Sequence, residues 1–259
     1  IIIPAYNCEK YIAETIQSAL NQTWNNKEII IVDDGSTDAT LKIAKQFEIA
    51  NQNIKVYTQE NKGSCNARNN GFAFSKGDYV QFLDGDDLMA PDKIEKQLKT
   101  LQNKADCIIG CCWIKFDKAI DNNIGGVGPY HSIMKNLSPK EWLLARFMMA
   151  QHAWLIPRKM VEISGGWDEE MTCNQDGEFF FRVIAQAKEI LFEKDAIVYY
   201  RAPLKHTGVS IKNTYDKYQS LFKAAITYKK VLKQLANDTI DVKVAIGNYF
   251  RELAYNYYP

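Results

Sequence analysis

The chain reads as an α/β protein with a mostly parallel central sheet flanked by helices. Short apolar runs recur at residues 1–4, 28–32, 54–58 and 78–83, as strands would. Stretches with apolar residues three or four apart separate them, as crossover helices would. Polar, acidic segments follow several of these strands directly, at the sheet edge where parallel folds bind ligands.

Residues 1–4 form the first strand. The chain starts at Ile1-Ile2-Ile3 without a Met, so it reads as a fragment cut close to its true start, and a lost N-terminal segment stays open. Residues 9–21 form a helix with Ile12, Ile16, Ala19 and Leu20 on one face. Residues 28–32 are a continuous apolar strand, and 38–50 carry Leu41, Ala44 and Phe47 at helical spacing. A short strand at 54–58 precedes a helix of small residues at 65–75. The strand at 78–83 has Tyr79, Val80, Phe82 and Leu83 as its apolar body. The helix at 91–101 has Pro91 at its first position and Asp92 in its first turn, both favourable there.

The alternation then loosens. Cys107, Cys111 and Cys112 sit in an apolar stretch that reads as a buried strand. Residues 117–129, with Gly125, Gly126 and Gly128, read as a mobile surface loop. Ser138-Pro139-Lys140-Glu141 starts a helix, with a cap, an N1 proline and acid in the first turn. A strand is expected at 151–156, a short helix from Pro157, a helix at 176–187 and a β-rich run at 190–200. From Tyr215 the chain is helical. Tyr218, Leu221, Phe222, Ala225, Leu232 and Leu235 lie toward one side, with Lys217, Lys223, Lys229, Lys230 and Lys233 around them. Such a helix either packs on the catalytic domain or lies on an anionic membrane surface.

Composition narrows the field. With 259 residues the chain can bury a sizeable core, and 46% hydrophobic with 24% charged residues is ordinary for a globular protein. A net charge of +1 gives no argument for nucleic acid. The six cysteines form no CxxC pair, and with three His a zinc site is not expected. A reducing, cytosolic setting fits that usage.

The chemistry concentrates after the strands. Asp84-Gly85-Asp86-Asp87 puts three carboxylates in four positions, which repel one another unless a cation joins them. Mg²⁺ or Mn²⁺ takes such carboxylates together with water and substrate phosphate. The bland reading is an acidic turn capping the next helix. Asp34, in Val32-Asp33-Asp34-Gly35-Ser36-Thr37-Asp38, can accept a hydrogen bond from a base or a ribose, or its loop caps a helix. Tyr6 can stack on a base. Neither GxGxxG nor GxxxxGK[ST] follows a strand, which argues against a dinucleotide dehydrogenase and a P-loop NTPase.

These segments, with Pro4-Ala5-Tyr6-Asn7, Asn61-Lys62-Gly63, Ala67-Arg68-Asn69-Asn70-Gly71, Gly165-Gly166-Trp167-Asp168-Glu169 and Gln175-Asp176-Gly177-Glu178, resemble an inverting family 2 glycosyltransferase. The resemblance runs in order over roughly residues 1–201 and fades after about 210. It implies the GT-A fold: a Rossmann-like sheet in residues 1–210 and a helical C-terminal extension in 211–259. Within the first part, 1–105 would be the nucleotide-binding half and 106–210 the acceptor-binding half. Asp34 resembles the acid that reads the base, with Pro4 and Tyr6 beside it. Lys62 and Arg68 lie where the family closes on the nucleotide, although Arg68 also reads as a structural ion-pair partner. Asp84 and Asp86 resemble the DxD motif, Asp86 as the metal ligand and Asp84 nearer the ribose. Asp176 resembles the catalytic base, with Gln175 where the family often has Glu. His206 would reach the diphosphate or metal. Trp154 and Asp168 would line the acceptor site, or serve as core and loop cap; His152 sits in the same region.

The implied reaction transfers a sugar from a nucleoside-diphosphate sugar, UDP-linked, to a saccharide or lipid-linked saccharide. It uses Mn²⁺ or Mg²⁺ and takes place in the cytoplasm or at the inner face of the membrane. The rivals are a nucleotidyltransferase acting on a sugar phosphate, which usually has a Gly-rich basic loop after the first strand, and a catalytically inactive nucleotide-sugar-binding protein.

Overall fold

The computed structural model describes residues 1–116, 135–147, 149–201, 215–236 and 239–257, with side chains up to Tyr255 in the last stretch. The loop expected at 117–129 lies outside them. Strands β1 (Ile2–Ala5), β2 (Ile29–Asp33) and β3 (Ile54–Thr58) pair in parallel, with Ile3 opposite Ile31 and Ile31 opposite Val56. Helices α1 (Ile12–Leu20) and α2 (Thr40–Ala50) make the crossovers. Helix α3 (Ser64–Phe74) leads to β4 (Tyr79–Val80). The expected strand at 78–83 is regular only over those two residues, but it continues beside β1 through a parallel bridge between Ile2 and Phe82.

After β5 (Leu88–Met89) and α4 (Lys93–Leu101), the long strands β6 (Cys107–Phe116) and β8 (Glu189–Arg201) run parallel, and β5 pairs antiparallel with β8. Between them come α5 (Pro139–Leu144), β7 (Ile156–Pro157), α6 (Arg158–Ser164) and α7 (Gln175–Ile184). Strand β7 pairs antiparallel with β4, and a Leu155–Ile109 bridge ties its start to β6. The sheet therefore reads β3-β2-β1-β4-β7-β6-β8-β5. Helices α8 (Tyr215–Ala236) and α9 (Ile240–Tyr257) close the chain. No helix among the described residues is long and apolar enough to cross a membrane.

The period-two geometry of strands explains the two cores. Consecutive side chains point to opposite faces. Ile3, Leu83, Ile109 and Leu191 join one cluster with Ile12 and Ile16 of α1 and Ile94 of α4. Their sequence neighbours Ile2, Phe82, Ile108 and Ile190 join the other, with Trp154, Phe179, Tyr228 and Leu232. Each such fully buried side chain contributes about 1.5–3 kcal/mol of transfer free energy. Because α8 and α9 supply Tyr228, Leu232, Val242 and Ala245 to this second cluster, the C-terminal extension shares the core of the sheet domain.

Local expectations shift in three places. Helix α4 begins at Lys93, so Pro91 and Asp92 precede its first turn. Residues 151–153 form a 3₁₀ turn in place of a strand. The buried side of α8 is Ser220, Ala224, Ala225, Tyr228, Val231 and Leu232, while Phe222 points outward at 43% exposure.

Candidate active site

The loops that leave β1, β2 and the strand ending at Leu83 meet at one edge of the sheet. Asn7, with positive φ (46°), accepts the Thr37 N–H at 2.8 Å and donates its own N–H to Ser36 Oγ at 3.1 Å, which braces the first two loops. Pro4 is buried, and Tyr6 stands out at 51% exposure, open to stacking. Gly35 has φ +73° and a Cβ there would meet Asn61 N at 2.9 Å, so the turn admits only glycine.

Asp34 is buried, and its carboxylate accepts the Lys62 and Gly63 N–H groups and Gln59 Nε2, all at 2.8 Å. The acid expected to meet a base thus holds the turn that starts α3. Lys62 touches it through its backbone and presents an exposed side chain.

Arg68 of α3 gathers the centre of the site. Its Nη2 pairs with Asp84 Oδ1 at 2.8 Å, its Nη1 donates to Ser64 Oγ at 3.2 Å and Gln175 Oε1 at 3.3 Å, and its guanidinium lies 4.4 Å from the Trp167 ring centre. Of the two readings of Arg68, the structure shows the ion-pair partner: it pairs with Asp84 of the acidic loop.

Gly85 lets the acidic loop pass close to β1, since a Cβ would lie 2.9 Å from Cys8 Sγ and 3.2 Å from Pro4 O. Burial first, and then the charge of Asp84, push the Asp86 carboxyl up to about 6. Two carboxylates without full neutralisation suit a hard cation, which takes one or two of them and completes its shell with phosphate and water. Among the described residues no group of three or more His, Cys, Asp or Glu could hold a metal ion by itself.

Asp87 turns inward. It accepts the Arg201 N–H at 2.8 Å, and its other oxygen is 3.1 Å from His152 Nδ1, though without hydrogen-bond alignment. Burial holds His152 neutral, its pKa lowered to about 3, and raises Asp87 well above the usual carboxylate range. His152 is therefore a buried support beneath the acidic loop and does not face an acceptor.

Arg201 lies in the run 200–210, where the family resemblance places an Arg, a His and a Ser in a closing loop. It donates from Nε to Asp86 O at 2.7 Å and from Nη2 to Glu14 at 2.8 Å, between the rings of Tyr11 and Phe116.

Asp176 is the second residue of α7. Gly177 follows because a Cβ there would lie 2.2 Å from Asn174 Oδ1. Burial raises the Asp176 carboxyl above its usual range, the Gly177 N–H and Arg68 pull it back, and Asp84 pushes it up again. Asn174, in the left-handed conformation (φ 52°), donates to Tyr228 OH at 2.8 Å and anchors this turn to α8. Asp176 borders a cavity of ≈ 420 Å³ that Trp154 also lines. Trp154 itself is 2% exposed and packs against Trp142 and Phe180. Asp168 pairs with Lys223 of α8 at 2.7 Å and accepts the Glu170 N–H at 3.1 Å, as a loop cap does. His206 lies outside the described residues.

The chain is similar to several known proteins. EpsH of Bacillus subtilis (strain 168) is 30% identical over 238 residues, 87% of this chain and 65% of that protein, so the chain spans less than two thirds of its length. Staphylococcus aureus TarS 1–349, solved with UDP-GlcNAc, superposes with a TM-score of 0.78 at 18% identity, over 99% of this chain and 72% of that one. The mannosyltransferase PcManGT of Pyrobaculum calidifontis, solved with GDP-Man and Mn²⁺, gives 0.63 at 15% identity, over 98% and 69%. At that identity the likeness is one of fold, and the fold is GT-A. The model of glycosyl transferase family 2 matches residues 1–162, which hold all the loops from β1 to the acidic cluster. That is more than half of the 259 residues, and the chain belongs to glycosyl transferase family 2.

Proposed function

We propose that this glycosyltransferase moves a sugar from a UDP-sugar to a hydroxyl of a saccharide or lipid-linked saccharide, with inversion at the anomeric carbon. One observation carries the reading. Arg68 joins Asp84 of the acidic loop to Gln175, the neighbour of Asp176, so one guanidinium couples the donor-side carboxylates to the candidate base. The UDP-GlcNAc in TarS and the GDP-Man with Mn²⁺ in PcManGT support a nucleotide-sugar donor.

In this reading residues 1–105 hold the donor, 106–210 face the acceptor, and 211–259 buttress α7. Tyr6 and Pro4 flank the base, while Asp34 and Lys62 shape the turn beside it. Asp176 accepts the acceptor's hydroxyl proton as that oxygen bonds to the anomeric carbon. The bond from that carbon to the diphosphate oxygen breaks, and its electron pair leaves on UDP. Attack from the opposite face inverts the centre and needs no second carboxylate as nucleophile. Asp86 and Asp84 would hold a divalent cation, Mn²⁺ or Mg²⁺, whose Lewis acidity neutralises the leaving diphosphate.

Asp176→Asn tests the assignment, because it keeps the shape and deletes the proton acceptor. UDP binding by calorimetry is expected to persist while sugar transfer falls about 10²–10⁴-fold. Near-normal transfer by a folded Asp176→Asn protein would place the base elsewhere.

A further inference from the structure

The cavity that Asp176 borders continues past it between α5, α7, α8 and α9. At ≈ 420 Å³ it is within the size range of small-molecule pockets. Its wall includes Leu143, Phe180, Ile184, Ala225 and Leu253, all buried. Its polar side chains are largely paired with one another. Asn174 donates to Tyr228 OH, and Arg146 pairs with Glu252 at 2.7 Å. Asp176 accepts the Gly177 N–H and borders the same space. A saccharide seated against this wall would bury hydroxyls with no partner, the costly case for a polar group. An apolar group would lose only its water, which favours burial. Helices α7, α8 and α9 lie beyond the residues matched by the family model, so most of this cavity is built by the part of the chain that the donor loops do not determine.

We propose that this cavity takes an apolar group carried by the acceptor, an alkyl or aryl aglycone, and so places the sugar hydroxyl at its mouth beside Asp176. The inference rests on the reading of Asp176 as the base. Ala225, small and buried in the wall, is the position where a larger side chain takes up cavity space.

Trp142 and Trp154 line the cavity, so occupancy is readable in tryptophan emission without turnover. The full chain is titrated with methyl β-D-glucoside and with octyl β-D-glucoside below its micelle concentration. Saturable change with the octyl compound at a concentration at least about tenfold below any response to the methyl compound is expected, from burial of several methylenes. Ala225→Phe is expected to remove that difference, and Leu221→Phe at the half-buried rim serves if Ala225→Phe does not fold. Equal responses to the two glucosides, or an octyl response unchanged in a folded filling variant, overturn the proposal. A second arm compares transfer to methyl and octyl glycosides of glucose, galactose and N-acetylglucosamine. Higher kcat/KM for the octyl member of an accepted pair supports the subsite, and parity overturns it. If no sugar nucleotide is consumed at all, the reading of the base and of the transfer reaction fails, while the emission titration still decides whether the cavity takes an alkyl chain.

Discussion

Arg68 shows how one side chain can serve two halves of a site. It holds Asp84 by a charge-assisted hydrogen bond, and its positive charge also lowers the carboxyl of Asp176 against the rise caused by burial. A base must be ionised to act. Because Asp176 titrates above the usual carboxylate range, the acid limb of kcat/KM is expected above that of an ordinary Asp, with activity lost as pH falls through it. Arg68→Gln removes the charge that opposes this rise, so the acid limb should move to still higher pH. The same change releases Asp84, and loss of such an outer support typically costs 10–100-fold. Profiles recorded with saturating Mn²⁺ isolate the Asp176 titration from that of Asp86. An acid limb that stays in place, or moves to lower pH, in Arg68→Gln would mean that Arg68 does not act on the proposed base.

Among the elements, α5 is one that local chemistry specifies in full. Ser138 Oγ accepts the Glu141 N–H, Glu141 Oε2 accepts the Ser138 N–H at 2.8 Å, and Pro139 fills the first position. Ser138→Ala is expected to cost about 1 kcal/mol, measured by denaturant unfolding, with little change in the denaturant slope. Caps, strand runs and the alternation of strands and helices are legible in the sequence for the same reason: the residues that decide them are neighbours. The stretch 151–154 shows the limit. Its strand-like appearance gives way to a 3₁₀ turn because distant side chains take its carbonyls. Gln81 Nε2 bonds His152 O and Gln97 Nε2 bonds Ala153 O, both at 2.9 Å. Nothing within 151–156 announces those partners. Likewise, helical spacing put Ala225 and Leu232 inward correctly, but Tyr228 is buried through its bond to Asn174 and its stacking on Phe181. At the site, the carboxylates and Arg68 were visible as motif residues, whereas the Arg201 clamp and the Lys223–Asp168 pair depend on contacts that only the fold creates.

The whole molecule brings its ligand-facing loops together because β1 lies between β2 and the strand ending at Leu83. The loops after β1 and β2, the turn entering α3 and the acidic loop therefore share one edge, while Arg68 and Asn174 tie that edge to α7 and α8. A ligand bound across these loops contacts segments of both core clusters and stabilises the native chain as a unit. At a hundredfold excess over its dissociation constant it should add about 2.7 kcal/mol. For a domain approaching this size, each kcal/mol moves the melting point by about 2–4 °C, so UDP with Mn²⁺ should raise it by about 5–10 °C. Asp86 and Asp84 would hold the cation, which would supply charge neutralisation to the diphosphate, so EDTA should abolish most of that shift, and Asp86→Asn should do the same without chelator. A differential scanning fluorimetry series with UDP, with Mn²⁺, with both, and with EDTA separates the contributions. An equal shift from UDP in the presence of EDTA and of Mn²⁺ would leave the nucleotide site standing and remove the metal from it.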